Sequence, residues 1–336
     1  MVLLPCKKYI SKTSSLTKLA DFEIIQEFID DELDSGEILI RGLYLSPEPS
    51  LRGGGLEGKQ LSCHGDLIPG SQVGKVIKSR HSSFPLDCLV FGHFGWRDLT
   101  KVKISEENCF HDVYKLPKYF DKIPISYALG ALGGPGITAH CAVEKILEIK
   151  SGGTFVVSTA TGAIGYLVLQ IGKLKGCKTL VFTSTDEKVI WLKTLGAGYI
   201  FNYNKIDPNQ VFQEFAPEGI DFYFDNIGGS FTYNVMKHMN LNGRIAVCDA
   251  ISCYDAVTTV PFDYLQIVDK RIRLEGFSIY AYDEKTWNEA MNTMAIWVME
   301  GKILVEERVL EGFETLGQAF IDRFEGNVVG IQVVRI

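Results

Sequence analysis

The chain has 336 residues, 46% of them hydrophobic, and 34 Lys and Arg against 41 Asp and Glu give it a net charge of −7. That composition is that of a soluble globular protein long enough for two domains, with no basic footprint for nucleic acid and no basic stripe for a membrane surface. No apolar run approaches the roughly 20 residues of a membrane helix, so the expected partners are small molecules.

The opening MVLLPCKKYISK has too short an apolar core and misplaced lysines for a signal peptide, and a cytoplasmic location is expected. Up to about residue 125 the chain consists of short β-like runs broken by Gly, Pro and Ser, at 22–28, 37–45, 73–80, 86–92 and 100–104. No helical period persists there, which predicts an all-β domain. From 126 to 304 strands alternate with helices, the strands at 154–158, 178–183, 199–202, 220–225, 244–248 and 271–280. This alternation predicts a parallel sheet with helices on both faces, and six strands suit two mononucleotide-binding halves. The last helix of the series, 284–300, lines up Trp287, Met291, Met294, Ala295 and Val298 on one stripe and stops before Gly301. Residues 305–336 return to β runs around a short helix at 314–324 and are expected to rejoin the first domain. The expected organisation is a substrate domain of 1–125 plus 305–336 and an inserted nucleotide domain of 126–304, with the substrate between them.

Eight cysteines are scattered at positions 6, 63, 88, 109, 141, 177, 248 and 253 without a C-x-x-C pair, and they read as free thiols. The six histidines are equally dispersed, His64 close to Cys63 being the one pairing worth naming, and no metal site is expected.

The most informative stretch begins at 154. A β-rich run, Thr154 to Val157, enters the turn Ala160-Thr161-Gly162-Ala163-Ile164-Gly165, and apolar positions then recur at helical spacing through Leu167, Val168, Ile171 and Leu174. The turn is a variant of G-x-G-x-x-G with Ala160 at the first glycine. In it Gly162 lets the backbone approach a pyrophosphate, Gly165 lets the helix pack close to its strand, and the free amides at the helix start bind the anion. Such a turn alone is equally compatible with packing; its context favours a nucleotide.

The next strand ends in Thr183-Ser184-Thr185, where an NAD-binding fold usually carries a carboxylate for the ribose hydroxyls. The first acid is Asp186, placed to cap the following helix, with Glu187 in its first turn. Ser184 and Lys188 offer a hydroxyl and an ammonium where an added ribose phosphate would sit, and Tyr203 is placed to cover the same spot. The plain alternative is a solvated Lys188 on a helix face. A hydrogen bond to a charged group contributes roughly 1.5–3 kcal/mol, so this set predicts NADP over NAD by about ten- to several-hundredfold.

Several segments together carry a family resemblance: LYLSPEPSLRG (43–53), LGALGGPGITAH (129–140), VVSTATGAIG (156–165), STDEKVIWLKTLG (184–196), FNY (201–203), FDNIGG (224–229), GRIAVCDAISCY (243–254) and EGFSIYAYD (275–283). The chain resembles the zinc-independent medium-chain dehydrogenase/reductases, specifically the leukotriene B dehydrogenases, prostaglandin reductases and alkenal double-bond reductases. Pro69-Gly70-Ser71-Gln72-Val73-Gly74 stands where zinc-dependent members carry a Gly-His-Glu motif. The resemblance implies an α/β chain with a GroES-like β domain and a Rossmann doubly wound domain, in a homodimer. It implies NADPH-dependent reduction of the carbon–carbon double bond of an α,β-unsaturated ketone or aldehyde, with hydride to the β-carbon and stabilisation of the resulting enolate.

By the same resemblance the cofactor is held by Gly162, Ala163, Ile164 and Gly165 at the pyrophosphate and by Ser184, Lys188 and Tyr203 at the ribose phosphate, with Asn226 nearby. Cys248, Ala250, Ile251, Ser252, Phe277, Ser278 and Ile279 match the loops flanking the nicotinamide. Tyr254 matches the tyrosine assigned to oxyanion stabilisation, or else lines the pocket; Arg52, Trp96, Tyr280 and Tyr282 are candidate substrate contacts, Arg52 and Trp96 being as readily structural. Departures from the family are Ser50 where a tyrosine is usual, Val328 at a usual cofactor-binding asparagine beside Asn327, and His140 in place of a tyrosine. Two other readings stand beside the leading one: a quinone reductase of the same metal-free superfamily, and a cofactor-binding protein without turnover, of crystallin-like type.

Overall fold

The computed structural model describes residues 1–13, 16–48, 65–104, 110–253 and 264–336. Seven strands open the chain: β1 (Leu3–Ser11), β2 (Phe22–Asp30), β3 (Glu37–Leu45), β4 (Gln72–Ser79), β5 (Leu89–Gly92), β6 (Leu99–Lys103) and β7 (Val113–Lys115). β1 and β7 had no counterpart among the expected runs; Pro5 interrupts the first, and the second is three residues long. β1 and β2 form an antiparallel pair over their full length. β3 is a central strand because Ile38, Leu39 and Ile40 are all buried, and it is hydrogen-bonded by β4 on one side and β6 on the other.

The alternating part follows as α1 (Gly134–Cys141), β8 (Thr154–Val157), α2 (Gly165–Leu174), β9 (Lys178–Thr183), α3 (Asp186–Thr194), β10 (Tyr199–Asn202), α4 (Pro208–Phe215), β11 (Ile220–Asp225), α5 (Gly229–Lys237), β12 (Met239–Val247), α6 (Tyr264–Lys270), β13 (Arg273–Gly276) and α7 (Glu284–Met299). The six strands lie in the order β10-β9-β8-β11-β12-β13, every neighbouring pair parallel. This is the Rossmann arrangement, with its switch point between β8 and β11. α2 is buried nearly all round, as its run of apolar residues requires, and Phe182, Phe212, Tyr223, Phe231, Val235 and Ile245 fill one face of the sheet.

Side chains set the helix starts. Asp207 caps α4 ahead of Pro208, and Asp283 caps α7 by accepting from the Thr286 amide at 2.9 Å. The cap of α3 differs from expectation: Thr185 accepts from the Lys188 amide at 3.3 Å, while Asp186, inside the first turn, binds Asn202 at 2.7 Å and pairs with Lys205. Two strand limits also differ. β12 begins earlier, at Met239, with an irregular start: its register against β11 shifts between Ile220 and Phe222, and Asn242 stands at φ +63° in that stretch. β13 is shorter than 271–280: among the described residues it pairs with β12 alone, and the chain turns into a short 3₁₀ segment at Ile279–Ala281.

β14 (Glu307–Glu311), α8 (Leu316–Phe324) and β15 (Ile331–Arg335) complete the first sheet, whose order is β14-β15-β3-β4-β5-β7 with β6 on β3. One structural unit is Met1–Gly133 with Glu307–Ile336 and the other is Gly134–Glu306. The segment 126–133 stays with the first unit, held by Gly130 against Ile331, where a Cβ would lie 2.6 Å from the Ile331 Cδ1, and by the Ser126 hydroxyl, which donates to Glu307 at 2.6 Å.

The second oxygen of Glu307 is buried without a partner among the described residues, and burial pushes its carboxyl above the ordinary glutamate value. A folded pKa raised above the unfolded one gives stability below the unfolded value that is lost as pH rises through the folded value. Glu307→Gln is therefore expected to melt at a higher temperature than the wild type at about pH 8 and alongside it at about pH 4. Thermal melts at the two pH values check this; a lower melting temperature for the variant at the higher pH would refute it.

Candidate active site

Parallel strands deliver the residues that follow them to a single edge of the sheet. Along the C-terminal edge, in sheet order, stand Tyr203 after β10, Ser184 and Lys188 after β9, the turn 158–165 after β8, Asn226 after β11, residues 248–252 after β12, and 277–282 after β13. The sequence-predicted cofactor residues thus form one line across the switch point, where an open α/β sheet leaves a crevice for a ligand.

At the centre of that line, Gly165 and Gly162 are glycines for different reasons. A Cβ on Gly165 would lie 2.4 Å from the Thr159 carbonyl oxygen and 2.9 Å from the Ala160 Cα, so the fold itself requires glycine at the start of α2. A Cβ on Gly162 would meet only that same oxygen among the described residues, at an ordinary 3.5 Å. Nothing among the described residues requires glycine there, and a backbone left open in this way suits the close approach of a pyrophosphate. Among the described residues no side chain caps α2, whose N-terminal end follows β8 and carries the partial positive charge of the helix. Thr159 was not anticipated: a β-branched residue at φ +46°, it holds the turn by accepting from the Gly162 amide at 3.0 Å. Gly165→Ala is expected to cost at least about 2 kcal/mol of stability and to abolish cofactor binding, read by melting and by nucleotide fluorescence titration; a stable variant that binds normally would show that the turn tolerates a wider strand–helix separation.

At the end of β9 three groups converge. The Lys188 ammonium donates to the Ser184 hydroxyl at 3.1 Å, and the Tyr203 hydroxyl faces the same Ser184. Asn204 fixes the strand end by donating to the Ser184 carbonyl at 2.9 Å. Lys188 is half-buried, has no carboxylate partner among the described residues, and burial pulls its ammonium below the ordinary lysine value. A partly desolvated cation of this kind suits an anion. The nearby carboxylate that could have accepted ribose hydroxyls, Asp186, is engaged with Asn202 and Lys205.

Across the switch point Asn226 is tied by its amide to the Ser158 hydroxyl at 2.9 Å, and Ile251 and Ser252 donate to the carbonyls of Asn226 and Ile227 at 3.3 and 3.1 Å. Segment 248–252 is thereby laced to segment 226–228. Burial beside Asp249 and Asp225 pushes the Cys248 thiol up to about 12, which keeps it protonated and unreactive at neutral pH. After β13, Phe277 is half-buried, Ser278 is exposed and Ile279 is buried; Tyr280 packs on Trp287 at 6.0 Å, and Tyr282 is half-buried.

Other expected residues fall elsewhere. Trp96 is fully buried in the first unit, stacked on Phe22 at 5.6 Å and edge-on to Tyr9 and Phe320, so it is a core residue and not a substrate contact. Its large apolar ring fills the space between β2 and α8. Asn327 donates its side-chain amide to Glu325 at 3.1 Å, and Val328 beside it brings no hydrogen-bonding side chain. His140 is buried against Trp297, where burial lowers its pKa. Tyr254, Arg52, Ser50, Cys63, His64 and Cys109 lie outside the described residues. Among the described residues no group of three or more His, Cys, Asp or Glu could hold a metal ion, and no helix is long and apolar enough to cross a membrane.

The residues present therefore fit a dinucleotide carrying an extra phosphate: a helix start without a side-chain cap among the described residues, a glycine that the fold leaves free, and, beside the neighbouring strand, a half-buried cation without a carboxylate partner among the described residues. Comparison with known proteins agrees with this geometry. Residues 163–295 match the family described as zinc-binding dehydrogenase, and residues 9–111 the N-terminal domain of oxidoreductase. The chain is 38% identical over 307 residues to prostaglandin reductase 1 of Bos taurus, covering 90% of each chain. It is 33% identical to the NADP(+)-dependent 2-alkenal reductase of Nicotiana tabacum, covering 95% of this chain and 93% of that one. Among solved structures, CurA of Vibrio vulnificus in complex with NADPH superposes with a TM-score of 0.85 at 31% identity over 98% of each chain.

Proposed function

The chain belongs to the prostaglandin reductase and 2-alkenal reductase family, the zinc-independent branch of the medium-chain dehydrogenase/reductases, and from that premise we propose that it is an NADPH-dependent reductase of α,β-unsaturated ketones and aldehydes. The observation that carries the reading is the end of β9, where Lys188 and Ser184 stand without a carboxylate competitor, in a chain that matches these reductases over nine-tenths of its length.

When bound, NADPH supplies the hydride that adds to the β-carbon of the substrate. The protein's part is placement and electrostatics. Lys188, Ser184 and Tyr203 hold the ribose phosphate; the 162–165 turn and the start of α2 hold the pyrophosphate; residues 248–252 and 277–279 bracket the nicotinamide end. Hydride addition puts negative charge on the carbonyl oxygen of the substrate, and the Tyr254 hydroxyl is the donor we assign to it, after which the α-carbon takes a proton. Tyr280 and Tyr282, with Arg52, are the side chains we assign to the substrate. We also infer a cytoplasmic homodimer. Support for the pairing comes from β13, which among the described residues is bonded on one side, and from Leu274 on it, an exposed apolar residue.

A substrate panel followed by NADPH absorbance tests the reading. Turnover with a medium-chain alkenal, an enone ketone or a 15-oxo-prostaglandin is expected to exceed turnover with a quinone. Faster quinone turnover would move the chain to quinone reduction, and NADPH binding without any turnover would make it a cofactor-binding protein.

A further inference from the structure

The most densely bonded side chain behind the crevice is one to which no role has been given. Asp225, the last residue of β11, is 1% exposed, and its carboxylate accepts four hydrogen bonds. The Tyr223 hydroxyl donates to Oδ1 at 2.8 Å, the Ile227 and Gly228 amides donate to the same oxygen at 3.0 and 2.8 Å, and the Thr232 hydroxyl donates to Oδ2 at 2.5 Å. Its backbone carbonyl accepts from the Cys248 amide at 2.8 Å.

Stability is one account of this side chain, since without it four donors would lose their acceptor. Geometry gives a second. Two of the four donors are backbone amides of the turn 226–228, which a carboxylate at its base locks in one conformation. Gly228, at φ +71°, brings that turn so close to the next loop that a Cβ on it would lie 3.1 Å from the Ala250 Cβ. With the bonds from Ile251 and Ser252 to the turn, any shift of 226–228 carries 248–252 with it.

We propose that Asp225 is a positioning residue for hydride transfer: it fixes the 226–228 turn, and through it the 248–252 loop, against the nicotinamide end of the cofactor. This rests on the reading of 248–252 as the nicotinamide-flanking loop. Asp225 acts through the backbone of its neighbours, so its loss leaves the ribose-phosphate pocket at β9 and β10 as it was.

The test separates the two ends of the cofactor. Asp225→Ala is expected to lower kcat at saturating NADPH by about 100-fold, the scale of an ångström-sized misplacement, and Thr232→Val, which strips one donor, by about tenfold. Affinity for 2′,5′-ADP, which has the phosphate end and no nicotinamide, is expected to stay within about twofold in both. Asp225→Asn should recover most of the loss, because its oxygen still accepts from the two amides while its NH₂ donates to the Thr232 hydroxyl. Should Asp225→Ala not fold, Thr232→Val and Asp225→Asn decide. A folded Asp225→Ala or Thr232→Val with wild-type kcat overturns the proposal, as does a loss of 2′,5′-ADP binding parallel to the loss of kcat. Failure of the underlying reading is recognised separately, by a wild-type chain that turns over no enone.

Discussion

Lys188→Ala is expected to weaken NADPH binding by about ten- to several-hundredfold while leaving NADH binding within about twofold, since one to two charge-assisted bonds to a phosphate are removed and nothing else. Lys188 is half-buried, and its ammonium donates to the Ser184 hydroxyl without a carboxylate partner among the described residues. A surface lysine would be worth little to any ligand; one already stripped of part of its hydration binds an anion more strongly. The same burial predicts a pH dependence. It lowers the pKa of Lys188, whereas a bound phosphate favours the protonated form. NADPH affinity should therefore fall as pH rises through a value below the ordinary lysine range, and NADH affinity should not follow it. Fluorescence titrations of both nucleotides, on the wild type and the variant across that range, check both statements. Equal losses for NADPH and NADH in Lys188→Ala would show that Lys188 does not read the phosphate.

Tyr254→Phe is the other large effect, this time on the rate. If the Tyr254 hydroxyl donates to the oxygen on which charge develops, its removal should lower kcat by about 100- to 1,000-fold, the cost of losing one such donor. NADPH affinity should change little, because the hydroxyl does its work in the transition state. Single-turnover kinetics with saturating NADPH separate the two quantities. An unchanged rate would retire Tyr254 as the donor and leave it as a pocket-lining ring.

What the sequence disclosed followed from periodicity and from local chemistry. The strands 178–183, 199–202 and 220–225 are found at those limits because each is a short run rich in apolar residues between turn residues, the first and third largely buried inside the parallel sheet and the second at its edge. The group around Ser184, Lys188 and Tyr203 was legible because the missing carboxylate after β9 is itself a local signal. Trp96 was not: its position in the sequence says nothing of the Phe22 and Phe320 rings that enclose it, both supplied by distant segments. The capping of α3 was ambiguous because Thr185 and Asp186 are both good capping residues, and Asn202 and Lys205, later in the chain, decide which side chain is free. Asp225 escaped notice for a similar reason. It lies within the segment FDNIGG, but its four partners become visible only when the strand, the turn and α5 are brought together.

The central claim is that hydride is delivered to carbon–carbon unsaturation, and its most direct test follows the hydride itself. NADPH carrying deuterium at the transferred position is supplied with an α,β-unsaturated ketone, and the product is examined by NMR. The account predicts a saturated ketone with deuterium on the β-carbon. An allylic alcohol with deuterium on the former carbonyl carbon, or no deuterium transfer at all, would contradict it.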